Sequence, residues 1–175
     1  MKKVLSVLAI AALVLVSFTS CNKEKTSTQL LTQSKGWVLT SATSDPAYHM
    51  QDGSQAADLI KDKYLKDFEV GYIIVFNENG SEIVKPGKIV APDSIPDEDC
   101  YRVETSLGNW EFDNAENPSI LNMQIPFFYD KEVEKCYLKN LTESELRIQM
   151  QMNDINNPTK ADNVCTFTLV FEPAK

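Results

Sequence analysis

The chain is poor in the groups that most enzyme chemistry needs. It has one histidine, His49, in 175 residues. It has no Cys-x-x-Cys pair, no Gly-rich phosphate loop and no Gly-x-Ser-x-Gly elbow. Zinc sites want four N or S ligands at close spacing, so a metal centre is not expected. No motif therefore points to phosphate-binding or α/β-hydrolase chemistry, while a Ser/His/Asp arrangement assembled by the fold stays open. Positive charge is scarce as well, with 17 Lys and Arg against 25 Asp and Glu. A surface that acidic repels nucleic-acid phosphates and anionic lipid heads, which excludes nucleic acid as a partner. The longest apolar run, Val4 to Val16, is broken only by Ser6. It is shorter than the ~20 residues a spanning helix needs.

That run has a different use. Lys2 and Lys3 precede it, and the small residues Thr19 and Ser20 follow it, which is the layout of a secretory signal. Phe18-Thr19-Ser20-Cys21 resembles the lipobox of bacterial lipoproteins. The resemblance implies that residues 1–20 are removed and that Cys21 carries lipid. Each buried acyl methylene would add ~0.8 kcal/mol of membrane affinity. Residues 21–34 then read as an anchor and flexible tether, since Asn22 to Thr28 lacks any apolar period. Asn22 is not the Asp that retains lipoproteins in the inner membrane of enteric bacteria, so the resemblance implies the outer membrane. Its periplasmic or surface side stays open. Without residues 1–20 the chain has 15 basic and 25 acidic residues, a formal charge of −10. Residues 35–175 fit one domain, of a size that buries about 70% of its unfolded surface.

Period-two alternation dominates that domain. Expected strands are Trp37–Ser41, Val70–Phe76, Ser81–Lys85, Gly108–Asp113, Ile120–Ile125, Lys135–Asn140, Leu146–Met152 and Cys165–Phe171. One face of each is apolar and the other largely polar, as antiparallel strands with one wet face require. Asn77-Glu78-Asn79-Gly80 is a hairpin signal. Ala56 to Lys66 has helical spacing in Leu59, Ile60, Lys63 and Tyr64, and predicts one helix between the first and second strands. Eight antiparallel strands joined in order close into an up-and-down barrel with no exposed edges. Alternate connections of a meander share one end. The long loops and the helix therefore fall at an open end, and the short turns and the tether at a closed end. An extra hairpin within 85–107 would make ten strands.

Matching stretches run in order along the chain: "WVLTSAT" from Trp37, "DLIKDKY" from Asp58, "IVFNENG" from Ile74, "GNWEF" from Gly108 and "CTFTLVFEP" from Cys165. On these the chain resembles the lipocalin-like lipoproteins of the Bacteroides group. True lipocalins carry Gly-x-Trp on the first strand, whereas here Gly36 directly precedes Trp37. The resemblance implies a small barrel with a capacity for ligand binding, and no established activity.

Phe76, Trp110, Phe112, Met123, Met150, Met152 and Phe167 are the expected interior, where methionines suit an adaptable apolar pocket. Phe127, Phe128 and Tyr129 leave a strand toward the open end and cannot all point inward, so part of that aromatic surface is expected at the mouth. An eight-stranded barrel either fills itself with side chains or holds one small ligand. The binding candidate is thus a small apolar or amphipathic molecule. The rival is a solid interaction module with an envelope protein as partner. A barrel-interior enzyme is the weakest reading, signalled by a buried carboxylate with a raised pKa. No cofactor and no catalytic residue is expected.

Cys100, Cys136 and Cys165 all fall near the open end, and an odd count allows at most one bridge among them. Asp93, Asp97, Glu98 and Asp99 form an acidic loop without the regular spacing of a calcium loop. Asp93-Ser94-Ile95 resembles an O-glycosylation sequon of exported proteins in that bacterial group, with Ser94 as acceptor. His49, among polar loop residues, reads as a solvated side chain.

Overall fold

A computed structural model describes residues 24–33, 35–89, 91–96, 100–128, 133–157 and 164–175. The described chain is all-β, an antiparallel and nearly closed barrel. Its strands are β1 (Trp37–His49), β2 (Gln55–Asp58), β3 (Ile73–Phe76), β4 (Ser81–Lys85), β5 (Thr105–Asn109), β6 (Glu111–Phe112), β7 (Ile120–Met123), β8 (Glu134–Leu141), β9 (Leu146–Asn153) and β10 (Val164–Pro173). Hydrogen-bonded neighbours follow the order β5-β4-β3-β1-β10-β9-β8-β7-β6, and β2 adds to β1. The first and last strands of that path are consecutive in sequence, with only Trp110 between them. The gap in the barrel is therefore spanned by the chain itself.

The wall opposite that gap is the most regular part. β9 and β10 pair over eight consecutive residues, from Val164↔Asn153 to Phe171↔Leu146, with no shift of register. Leu146, Ile148 and Met150 alternate inward on β9, and Cys165, Phe167, Leu169 and Phe171 on β10. Polar neighbours face out, where the Gln149 amide donates to Thr168 Oγ1 at 3.0 Å. On β1 the alternation changes phase. Trp37 and Leu39 point in, a bulge intervenes between Leu39 and Ser41, and Ala42 and Ser44 point in beyond it. The extra residue lets one long strand pair with β3 at its start and with β2 at its end.

The strand count differs from the expected eight for two reasons. The expected strand over 108–113 is split at Trp110, and residues 55–58 form β2. No strand lies among the described residues of 86–104, so the suspected hairpin is not the cause. The helix also differs. Residues 59–65 form turns rather than a helix, and a four-residue helix, Asp67–Val70, follows them. Aspartate side chains explain this. Asp62 accepts from the backbone N–H of Ala57 and Asp58, both at 3.0 Å, and Asp58 from those of Ile60 and Lys61 at 3.2 and 3.0 Å. Short polar side chains that satisfy the backbone locally compete with a helix. Lys63 then takes a positive φ of 61°, which no helix continues through. The turns still bury Leu59, one of the residues whose spacing suggested a helix, and Leu65 beside it.

The closed end is sealed from below. A helix, Ser27–Leu31, which we number α1 with Asp67–Val70 as α2, occupies part of the expected tether. Thr26 Oγ1 accepts from Gln29 N and Gln29 Oε1 accepts from Thr26 N, a capping box. Leu31 is fully buried, and its carbonyl accepts from Trp37 Nε1 at 2.8 Å. Lys25 reaches Glu143, in the turn between β8 and β9, at 2.7 Å. Gly80 ends the turn between β3 and β4 with a φ of 84°, a conformation costly for any residue with a Cβ.

Candidate functional site

The sequence candidates separate into three groups. Phe76, Trp110 and Phe112 pack edge-to-face near the closed end, with centroids 5.9 and 5.4 Å apart. Trp110 Nε1 donates to the Asn77 carbonyl at 3.0 Å. Met123, Met150 and Phe167 are buried in the mid-barrel core. Only Phe127, Phe128 and Met152 border open space. Tyr129 lies outside the described residues, as does Cys21.

Phe127 and Phe128 sit at the mouth but expose little of their rings there. Both rings fold back into the barrel, 2% and 6% exposed. Phe127 lies between Tyr72 and Phe171, stacked at 6.4 and 6.3 Å, and Phe128 packs on Phe167 at 5.4 Å. The pair plugs the mouth and joins the core instead of lining an open bore. The driving force is the apolar area of two rings, worth several kcal/mol at about 25 cal/mol per Å².

Above the plug is a cleft of about 620 Å³, within the usual range for small-molecule sites. Its floor is Tyr48, Tyr64, Phe127 and Phe128, with Met50 and Met152 beside them. Tyr48 and Tyr64 meet edge-to-face at 5.3 Å. Burial pushes the Tyr64 phenol up to about 12, and raises Tyr48 with help from the nearby Asp154 carboxylate. Both hydroxyls are therefore neutral at physiological pH. Lys63, Lys66, Asp52, Glu69, Gln51 and Asn156 supply the polar part, and Ile155 stands 82% exposed at the edge.

One wall of the cleft is pinned by the single histidine. His49 is not a solvated loop residue. It ends β1, and its Nδ1 lies 2.6 Å from Oδ2 of the buried Asp154. Asp154 also accepts from His49 N at 3.3 Å, and the Asn156 amide donates to the His49 carbonyl at 2.9 Å. The Gln55 amide nitrogen lies 2.9 Å from His49 Nε2. These contacts fasten the segment after β9, which carries Ile155 and Asn156, to the end of β1.

A second buried carboxylate sits at the gap. Glu82 on β4 is fully buried and points inward in phase with Val84. Its Oε2 accepts from the Gln124 backbone N–H at 3.0 Å, which ties β4 to the end of β7 across the split strand. Gly108, its partner on β5, has no side chain there, and a Cβ would meet the Gln124 amide at 3.6 Å. Oε1 has no hydrogen-bond partner among the described residues. Burial pushes this carboxyl up to about 8, opposed only partly by the Gln124 N–H. Glu82 does not line the open-end cleft.

The three cysteines are free and buried, with no pair bridged. Cys136 on β8 and Cys165 on β10 are separated by β9, and each thiol finds its own oxygen, Glu134 O at 3.8 Å and Asp154 Oδ2 at 3.9 Å. Cys100 Sγ meets Pro96 O at 3.5 Å. Burial pushes the Cys136 thiol up to about 12 and raises Cys165, so these thiols stay protonated. Ser94 is exposed in a turn held by Arg102, whose guanidinium donates to the carbonyls of Ala91, Pro92 and Ile95 at 2.6–2.8 Å. Among the described residues no three His, Cys, Asp or Glu side chains gather as metal ligands, and no helix is long and apolar enough to cross a membrane.

Sequence reasoning missed Tyr48, Tyr64, Lys66 and Glu82. Glu82 was findable, since it is the one acidic residue in the inward phase of Ser81–Lys85. Tyr48 was hidden by the phase change at the bulge. No family model, no curated protein and no solved structure matches this chain.

Proposed function

We propose that this chain is a membrane-anchored, lipocalin-like lipoprotein that binds a small amphipathic molecule in the cleft at its open end. The observation that carries the proposal is the contrast between a packed interior and that cleft. Interior aromatics such as Phe76, Trp110 and Phe112 pack on one another and Met123 and Met150 are buried, while Tyr48, Tyr64, Phe127, Phe128 and Met152 present an apolar floor to a space with a charged border. Apolar sites with a few placed polar groups are the common form of small-molecule pocket. Lipid on Cys21 would hold the chain at the outer membrane. Lys25 emerges beside Glu143 at the closed end, so the cleft would face away from that membrane.

The test is native mass spectrometry of the protein released gently from its own membranes. A non-covalent adduct that Met152→Trp abolishes is the expected result. A clean mass across several gentle preparations would overturn it in favour of a solid module that docks an envelope protein. Glu82 favours a further reading, a barrel-interior enzyme with this carboxyl as its acid–base group. Its mark would be a turnover abolished by Glu82→Gln and untouched by Met152→Trp.

A further inference from the structure

The charged groups around the cleft are not equivalent. Asp52 is occupied by its own turn, accepting from Ser54 N at 2.9 Å and from Ser54 Oγ at 2.6 Å. Glu69 is buried and accepts from Lys66 N at 2.5 Å, across the first turn of α2. Neither carboxylate is directed into the cleft as an unmet charge. The lysines are different. Lys63 pairs with Asp67 at 2.9 Å, but both side chains are about two-thirds exposed, at 70% and 66%. Such pairs are weak and exchange readily for a better anion. Lys66 is exposed and makes no ion pair with any described residue. Among the described lining residues, Asp52 and Glu69 keep their charge but turn it to donors of their own turns, which leaves Lys66 as the charged group without a partner and Lys63 as the one most easily released. Lys63 is also the one described non-glycine residue with positive φ, held so by the turns that carry it to the cleft.

We infer that the cleft takes a small organic anion, an apolar and preferably aromatic body on the Tyr48–Tyr64–Phe128 floor with its acidic group at Lys66 and Lys63. This inference rests on the cleft being the binding site proposed above. The neutral phenols leave the floor uncharged, and among the described lining residues the two ammonium groups are the charged donors offered to a ligand's head. An ammonium beside an apolar floor meets a carboxylate or sulfonate with a charge-assisted hydrogen bond, while the ring edges meet the ligand's face.

A matched pair of probes separates the two claims. 8-Anilinonaphthalene-1-sulfonate and N-phenyl-1-naphthylamine share their rings and differ in the sulfonate. Each is titrated by fluorescence into the full chain, into Lys66→Gln and into Lys63→Gln, with circular dichroism to check folding. The expected result is saturable binding of both probes, abolished by Met152→Trp. Lys66→Gln should weaken the sulfonate by roughly five- to tenfold, the size of one partly exposed charged contact, and move the neutral probe less than about twofold. Raising the salt should weaken only the sulfonate. Equal loss of both probes, or no loss of either, in both lysine variants would overturn the anion preference and leave the cleft as a site. Failure of both probes to bind saturably would overturn the cleft itself, and the anion preference with it.

Discussion

The wall formed by β9 and β10 and the gap between β5 and β6 are two solutions to one problem. The wall pairs eight residues without a break, buries Phe167, Leu169 and Phe171 on one face, and leaves its polar atoms on the other. At the gap, β6 pairs with β7 over only two residues, a bulge interrupts β4 and β5, and a buried glutamate bridges the two sides. The wall is held by burial that needs no precision beyond alternation. The gap is held by one charge-capable group in a place where charge is costly. Stability in such a barrel comes from its regular side, and sensitivity to conditions from its irregular side.

The largest effect should come from the wall. Phe167→Ala removes a ring that touches Tyr48, Tyr64 and Phe128, and should lower stability by about 3–5 kcal/mol in denaturant unfolding. A loss under about 1 kcal/mol would mean that the wall is not the main support.

The gap should respond in the opposite direction. The folded protein holds a proton on Glu82 up to about pH 8, while the unfolded chain releases it near the ordinary value of 4.5. Below pH 4.5 both states are protonated and the folded state bears no penalty. As pH rises from there to about 8 the unfolded state gains relative to the folded one, so stability falls across that window and then levels. Glu82→Gln replaces the acid with a neutral group. It should raise stability by up to about 3 kcal/mol at pH 7 and leave it nearly unchanged at pH 4. Equal effects at both pH values would show that the penalty is steric rather than electrostatic.

Smaller effects sharpen the contrast between ordered wall and fastened loop. His49→Ala removes the ring from the buried Asp154 carboxylate and leaves it the backbone N–H of residue 49 and the weak Cys165 thiol, and should cost about 1–3 kcal/mol. Hydrogen exchange should then rise in 154–157 before it rises in the β9–β10 pairing. Smallest of all, Gln149→Ala on the outer face of the wall should stay within about 0.5 kcal/mol, because it loses one part-buried side-chain contact outside the core.

Much of the barrel was legible in the chain. Leu146–Met152 and Cys165–Phe171 alternate so strictly that their strands extend by at most two residues at either end. Ser81–Lys85 and the Asn77–Gly80 turn fall where the residues place them. Phe127, Phe128 and Met152 of the candidate site do border the cleft, but Phe76, Trp110, Phe112, Met123, Met150 and Phe167 do not. Tyr48, Tyr64 and Lys66 come from segments without a clean period, where turn chemistry rather than alternation decides direction. The partner of His49 lies 105 residues away, beyond the reach of any local pattern.

The amino-acid order by itself determined most of the strands, the inward faces of the regular ones and the antiparallel barrel class, because side-chain period and turn residues act over neighbouring positions. Only the tertiary structure decided where the barrel is left open, which aromatics plug it, and which charges meet at its mouth. Those outcomes depend on closure. Bringing β4 and β7 together buries Glu82, and folding Phe127 and Phe128 onto Phe171 and Phe167 moves the open space from the bore to the border. Contacts between residues far apart in sequence set both, and no local period encodes them.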